Sequence, residues 1–284
     1  MIPAVVQFTK FLDDEYLPAA RTTPGLLDIE GGKDCFSDAA EWWTTLRLSQ
    51  EEIETIGERL MHDTRNQLMA TADNNETFSD IMTRLRASQK QHGTTSAELI
   101  KISEVALARA DKKISAMFSK QASTELRIVE LPEHMQASFP AGRYTPSEGD
   151  NEPAAYVINP SRPGERRLMA EVIAFHEGLP GHHLFLAYPR ETPSSGYNSG
   201  ILEGWAIYAE FVADEMGLYS SPYDRQGMIT KHLWATSRLI VEPGLHLRGW
   251  SREDAITFML DNTVMSRTEI EIEVDRYIAM PGQS

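Results

Sequence analysis

The sequence predicts a mainly α protein with a small β-hairpin or sheet in its middle. Apolar residues recur at three- and four-residue spacing through most of the chain, and two short central stretches alternate instead. A composition of 41% hydrophobic and 24% charged residues is that of a globular protein, and 284 residues suffice for a sizeable core.

In order along the chain, 2–16 reads as a short helix ending near Pro18, and the Pro- and Gly-containing 22–34 as loop. Ser49 and Glu52 form a capping box, after which Ile53, Ile56, Leu60, Met61, Leu68 and Met69 keep helical spacing until Asp73-Asn74-Asn75 breaks it. Two more amphipathic helices cover 79–91 and 96–118, the second with Leu99, Ile102, Val105, Leu107 and Ala110 inward. Leu126 to Leu131 alternates and ends at Pro132; Ala154 to Asn159 is β-rich and ends at Pro160. The intervening 140–153 is loop by composition, as is 161–164. Helices follow from near Arg167, over 201–216 with Gly217 as C-cap, over 223–241, over 252–260 behind a Ser251/Asp254 cap, and over 266–278. The chain thus divides into a helical region, 1–124, and a region 125–284 that carries the strands and the motifs below, the two forming one large globular unit.

Charge and cysteine content narrow the partners. With 27 basic and 42 acidic residues the net charge is −15, which argues against nucleic acid or an anionic membrane surface. Cys35 is the single cysteine, so no intrachain disulfide or cysteine metal cluster is possible. Residues 1–20 contain Lys10, Asp13, Asp14 and Glu15 and no apolar run of signal-peptide type, and nothing approaches the length of a membrane span. A cytoplasmic location is the expectation from these features.

The stretch with chemistry in it is Phe175-His176-Glu177-Gly178-Leu179-Pro180-Gly181-His182-His183, which holds three of the eight histidines. Imidazole nitrogens and a carboxylate are the ligands of a catalytic zinc ion. A glutamate next to the first ligand can take a proton from water. The spacing is irregular. On an unbroken helix His182 would sit about 9 Å along and roughly 240° around from His176, pointing away. Pro180 clashes with the carbonyl of His176 and Gly181 tolerates almost any backbone angle, so a bulge there can return His182 to the His176 face. His183 is the competing second ligand. Glu203, opening the next helix, is the expected third ligand, and Glu210, two turns on, the expected acceptor for a ligand histidine N–H. His62, His92 and His134 stand alone and are not expected to bind.

His-Glu-x-x-Pro-Gly-His-His followed by Glu203-Gly204-Trp205-Ala206-x-Tyr208-Ala209-Glu210 resembles the bacterial family catalogued as domain of unknown function 885. The pattern is also similar to the zinc peptidases of the angiotensin-converting-enzyme and oligopeptidase type, with two residues more between the histidines. Arg238 to His246, Trp250 to Ala255 and Arg276 to Gln283 look like later blocks of the same family. The resemblance implies a zincin-like helical metallopeptidase architecture. It also implies relatives about twice this length, whose additional N-terminal half forms a second wall of the cleft. This chain is then either a compact version, or one in which a homo-oligomer or a partner replaces that half.

The implied chemistry is hydrolysis of a small peptide or amide by zinc-activated water, with Glu177 as general base. Tyr277 and Arg276, with Arg238 and His246 behind them, are the expected donors to the oxyanion. In such peptidases an edge strand pairs with the substrate backbone, and Ala154 to Asn159 is the expected edge, with a purely structural hairpin as the alternative. Two other functions fit the same residues: hydrolysis of a non-peptide amide or ester, and a helical protein in which zinc only staples the fold. Glu177 argues against the staple, because a structural site closes its fourth position with another ligand. Zinc follows from ligand type alone; manganese, cobalt or nickel accept the same set.

Overall fold

Local signals in the sequence explain where most helices begin. The computed structural model describes residues 2–73, 75–91, 93–147, 152–188 and 198–284. Asn74, His92 and 148–151 of the expected loop therefore lie outside the described residues.

Helix α1 (Ile2–Phe11) passes through a π-helical turn, Leu12–Tyr16, into α2 (Leu17–Ala19), so the first helix continues through Pro18. Helix α3 (Gly32–Thr44) starts inside the stretch expected as loop. Helix α4 (Gln50–Met69) opens with the expected capping box: Ser49 Oγ accepts the Glu52 N–H, and the Glu52 carboxylate accepts the Ser49 N–H at 2.8 Å. Helices α5 (Phe78–Gln91) and α6 (Ser96–Ile114) follow, the latter capped in the same way by Thr95 and Glu98. Helix α6 buries Leu99, Ser103, Ala106, Ala110 and Ile114. Val105 is 47% exposed rather than inward, since six residues from Leu99 is the opposite side of a helix.

The middle of the chain forms a three-stranded sheet, not a hairpin. Strands β1 (Leu126–Glu130), β2 (Gly142–Thr145) and β3 (Ala154–Ile158) lie in the order β1-β3-β2. Strand β3 is parallel to β1 and antiparallel to β2, with Tyr144 opposite Tyr156. Two expectations are corrected here. Strand β2 arises within 140–153, read as loop from its Pro and Gly. Ala154 to Asn159 is central, with both edges paired, so it cannot receive a substrate strand.

Helix α7 (Pro163–Arg166) and a 3₁₀ turn, Arg167–Met169, lead into α8 (Ala170–Glu177), followed by α9 (His182–Leu186) and α10 (Ser199–Glu215). Helices α11 (Pro222–Leu247), α12 (Arg252–Asn262) and α13 (Arg267–Ala279) complete the chain. Helix α11 runs six residues past its expected end at Val241, through Pro243. Val241 and Leu245 are fully buried and Gly244 sits against the Trp250 indole, so packing outweighs the missing Pro243 N–H. The buried apolar cluster runs from Met61, Leu85 and Ile114 to Phe175, Leu233 and Tyr277, crossing the 124/125 boundary in one core. Among the described residues no helix is long and apolar enough to cross a membrane.

Helix α8 packs against α6, α10, α11 and β2, and all eight of its residues are buried. Three of those eight, Glu171, His176 and Glu177, are ionisable. Buried charge is tolerated only when paired or bound. Glu171 is paired with Arg109 at 2.7 Å; the other two lead to the site.

Candidate metal centre

The helix through His176 stops at Glu177 and restarts at His182; it does not bulge as expected. The Gly181 N–H donates to the Phe175 carbonyl at 3.0 Å, folding the chain back on the end of α8. A Cβ at Gly181 would stand 1.9 Å from the His176 carbonyl oxygen, so only glycine permits the approach. Trp205 on α10 fixes the turn from outside, its indole N–H reaching the Pro180 and Gly181 carbonyls at 3.1 and 3.3 Å.

This turn brings three expected ligands together. His176 Nε2 lies 3.3 Å from Glu203 Oε2, and His182 Nε2 lies 3.7 Å from Glu203 Oε1. One donor atom from each residue falls within 4.8 Å of the other two. Ligands at about 2.1 Å in a tetrahedral arrangement stand about 3.4 Å apart, so the donor types and the two histidine–glutamate spacings suit a zinc-sized cation. His183 points elsewhere: a ring N–H bonds the Thr124 carbonyl, and Nδ1 lies 3.3 Å from the Tyr144 hydroxyl. The geometry therefore favours His182 over His183.

Behind the trio, His176 Nδ1–H donates to Glu210 Oε1 at 2.7 Å, which fixes the tautomer that leaves Nε2 toward Glu203. Glu210 is fully buried and also accepts from the Lys231 ammonium and, at 2.8 Å, from His232 Nε2–H. Burial opposes ionisation of Glu210, but Lys231, His176 and His232 hold its carboxyl well below the usual range. Burial and Lys231 oppose a charge on His176, yet Glu203, Glu210 and Glu177 outweigh them and raise it to about 9. The same negative field favours a cation among the three ligands. Burial pushes His182 down to about 4, so its lone pair is available at neutral pH.

Glu177 is buried beside the trio without belonging to it. Burial pushes its carboxyl up to about 7, aided by Glu203 and resisted by His176, Lys231 and the Tyr144 backbone N–H, which donates to it. Tyr144 comes from β2, and its ring centroid is 6.3 Å from that of His182. Burial raises its hydroxyl to about 12, so it stays protonated.

The four expected oxyanion donors lie apart from this cluster of ligands. Tyr277 is fully buried, its hydroxyl accepting from Trp234 Nε1–H at 3.1 Å and Arg238 Nε–H at 3.2 Å. Arg276 is bound to Glu273 at 2.8 Å and to Gln283. His246 stacks on Phe36 and donates to the Tyr277 carbonyl at 3.0 Å, a packing role. Of the four, Arg238 alone is both part-exposed and within the field of Glu203. His62 bonds Asn66, and His134 lies in a 3₁₀ turn. Sequence reasoning missed Tyr144, Lys231 and His232. A Lys-His pair inside the apolar run Met228-Ile229-Thr230-Lys231-His232-Leu233 was the available signal, since buried lysine is rare without a partner.

Comparison with known proteins follows the fold. A crystal structure described as "the putative lipoprotein from Colwellia psychrerythraea" is similar at a TM-score of 0.84 and 26% identity, over 98% of this chain and 50% of that one. A second, described as "a putative lipoprotein of unknown function from Shewanella oneidensis", is similar in fold at a TM-score of 0.67 and 16% identity, over 98% of this chain and 53% of that one. This chain spans about half the length of both structures. No curated protein matches it. Both structures are described as lipoproteins, which overturns the cytoplasmic expectation. A single cysteine forbids an intrachain disulfide in any compartment, so it never separated the two cases. The model of the bacterial proteins of unknown function termed DUF885 matches residues 1–284, and the chain belongs to that family.

Proposed function

We propose that this chain carries a zinc-dependent hydrolase centre for peptide bonds, of zincin-like type. The observation that carries the reading is the convergence of His176, His182 and Glu203 within 4.8 Å, with the buried carboxylate of Glu177 alongside. A divalent zinc ion held there would polarise a carbonyl and acidify water.

The chain's own groups supply the rest. Glu177, whose carboxyl titrates near neutrality, accepts a proton from the attacking water and delivers it to the leaving nitrogen. The Tyr144 N–H holds that carboxylate in place. The Tyr144 ring lies 6.3 Å from that of His182, but its hydroxyl is 3.3 Å from His183 Nδ1, so it would serve the oxyanion only on leaving that partner. Glu210 keeps the His176 ring oriented, and Lys231 and His232 keep Glu210 ionised. Strand β2 is an edge strand, and its Tyr144 N–H points to Glu177 rather than to β3. Among the described residues no strand pairs with that side, which suits an extended peptide, the part earlier expected of Ala154 to Asn159.

The test is metal content by mass spectrometry on protein purified without added metal, paired with hydrolysis of a panel of peptides, simple amides and esters. Stoichiometric zinc with chelator-reversible peptide cleavage supports the proposal. Metal-free protein, or zinc with no hydrolysis, sinks it, and cleavage confined to esters or simple amides moves it to the non-peptide class.

A further inference from the structure

The first helical arm stands out from the body. Of residues 3–19 all but Leu12 are exposed, and α1 and α2 make their main contacts with the π-helical turn between them. Yet the arm is apolar: Val5, Val6, Phe8, Phe11, Tyr16 and Leu17 are 45–62% exposed. A helix apolar on most of its sides calls for a cover. The π turn gives this surface its shape. The Leu17 N–H donates to the Leu12 carbonyl, five residues back, so the chain turns more widely there than an α-helix does. On an unbroken α-helix Tyr16, five residues after Phe11, would lie about 140° round from it. The wider turn returns it to the Phe11 side, with ring centroids 6.4 Å apart, and Phe11 in turn lies 6.5 Å from Phe8. Three rings thus form one ridge.

A groove of complementary character lies where α4 meets α11, α12 and the start of α5. Met61, Met69, Phe78, Ile240 and Phe258 line it, over a volume of about 710 Å³. Its rim carries Glu58 and Arg65, neither with an ionic partner among the described residues, seven residues or about 10 Å apart along α4. The Arg65 guanidinium lies 4.2 Å from the Phe78 ring centroid, which holds it at the rim. The arm carries the opposite signs in the same order, Lys10 and then Asp13-Asp14-Glu15. Lys10 to Glu15 covers about 7 Å of helix, and the lysine and arginine side chains span the remainder. Laid along α4 in the same direction, the ridge fills the trough, Lys10 meets Glu58 and the acidic run meets Arg65.

We propose that the arm of one copy lies in this groove of a second copy, and reciprocally, so that the chain forms a two-fold dimer by exchange of residues 2–19. Exchange counts every contact twice. At about 150–250 Å² per aromatic side chain, three rings roughly half exposed offer about 300 Å² per arm. Arm and groove, taken over both copies, reach about 1,200 Å², the lower end of a specific interface. Charge speaks against a bilayer as the cover, because anionic headgroups repel the acidic run and a chain of net charge −15. Two copies repel as well, but at physiological ionic strength charges more than about 8 Å away are screened, and at the contact itself the groove offers Arg65. None of these residues belongs to the metal centre, so the dimer stands or falls apart from the hydrolase reading.

Sedimentation equilibrium of the full chain at concentrations on the order of 1–100 μM, the range of a modest interface, tests this. A monomer–dimer equilibrium is expected. Phe8→Asp together with Phe11→Asp should raise its dissociation constant more than about 100-fold, and since both side chains are exposed the fold should be unchanged by circular dichroism. Arg65→Glu should raise the constant about 3- to 10-fold, and joining it to Asp13→Lys, Asp14→Lys and Glu15→Lys should restore it. A monomer throughout the range, or a dimer that survives the Phe8 and Phe11 changes, overturns the proposal. A dimer indifferent to Arg65→Glu, or not rescued by the exchange of charges, places the arm off the groove and overturns it too. So does a monomer that sediments with phosphatidylcholine vesicles, which assigns the arm to a lipid surface.

Discussion

His176 Nδ1 lies 2.7 Å from Oε1 of Glu210, a fully buried carboxylate two turns beyond Glu203 on α10. One helix thus addresses the same imidazole from both sides, with Glu203 toward Nε2 and Glu210 toward Nδ1. Because α10 is rigid over two turns, the ring cannot tilt without breaking one of the two contacts.

Ligand removal comes first. Zinc content is expected to fall to trace in His176→Ala, His182→Ala and Glu203→Ala, and to persist in His183→Ala, whose ring faces Thr124 and Tyr144. Mass spectrometry after dialysis checks this. Loss of zinc in His183→Ala alone would reverse the ligand assignment.

Glu177→Gln separates binding from chemistry. The residue stands outside the ligand trio, so zinc should be retained, while loss of the general base should lower turnover by about 10²–10⁴. Unchanged turnover with zinc bound would move the proton-transfer role elsewhere.

Glu210→Gln should weaken two properties at once. An outer-sphere partner of a ligand histidine is worth about 10- to 100-fold in metal affinity. Lys231, 7% exposed, loses its counter-charge in the interior, a change that costs on the order of 3–5 kcal/mol. Chelator competition and chemical denaturation read the two effects separately; normal stability would mean that Lys231 finds another partner.

Glycine substitutions test the turn. Gly181→Ala forces a carbon against the His176 carbonyl and should lose both stability and metal. Gly204, exposed on α10 with nothing within 4 Å of a built Cβ, should gain about 0.5–1 kcal/mol as alanine. Melting temperatures of the two variants should move in opposite directions.

Glu242 gives a pH signature. Burial raises its carboxyl from 4.5 to about 7, so between those values the native chain holds a proton that the unfolded chain has released. Its contribution is therefore largest below the unfolded value and is lost as pH rises through the folded one, to the extent of about 3 kcal/mol. Glu242→Gln should stabilise the chain at about pH 8 and have little effect at about pH 4. Equal effects at both would remove Glu242 as the source.

What could be read from the order of residues was what short-range geometry controls. Helix starts at Ser49, Thr95, Ser251 and Ser266 follow from one side chain and a backbone N–H three residues on. The approach of His176, His182 and Glu203 was legible for the same reason: Pro180 and Gly181 disturb the helix between the histidines, as a stop and restart rather than the expected bulge, and Glu203 lies near the start of the next helix. Long-range packing settled the rest. That β3 is central, that a four-residue strand within 140–153 carries Tyr144 to Glu177, and that Lys231 and His232 converge on Glu210 are contacts between residues 10 to 33 apart along the chain, which periodicity cannot encode. Tyr277, a site candidate by its neighbours in sequence, is instead a buried hub between α11 and α13, because only the folded core decides which hydroxyl is left facing a cleft.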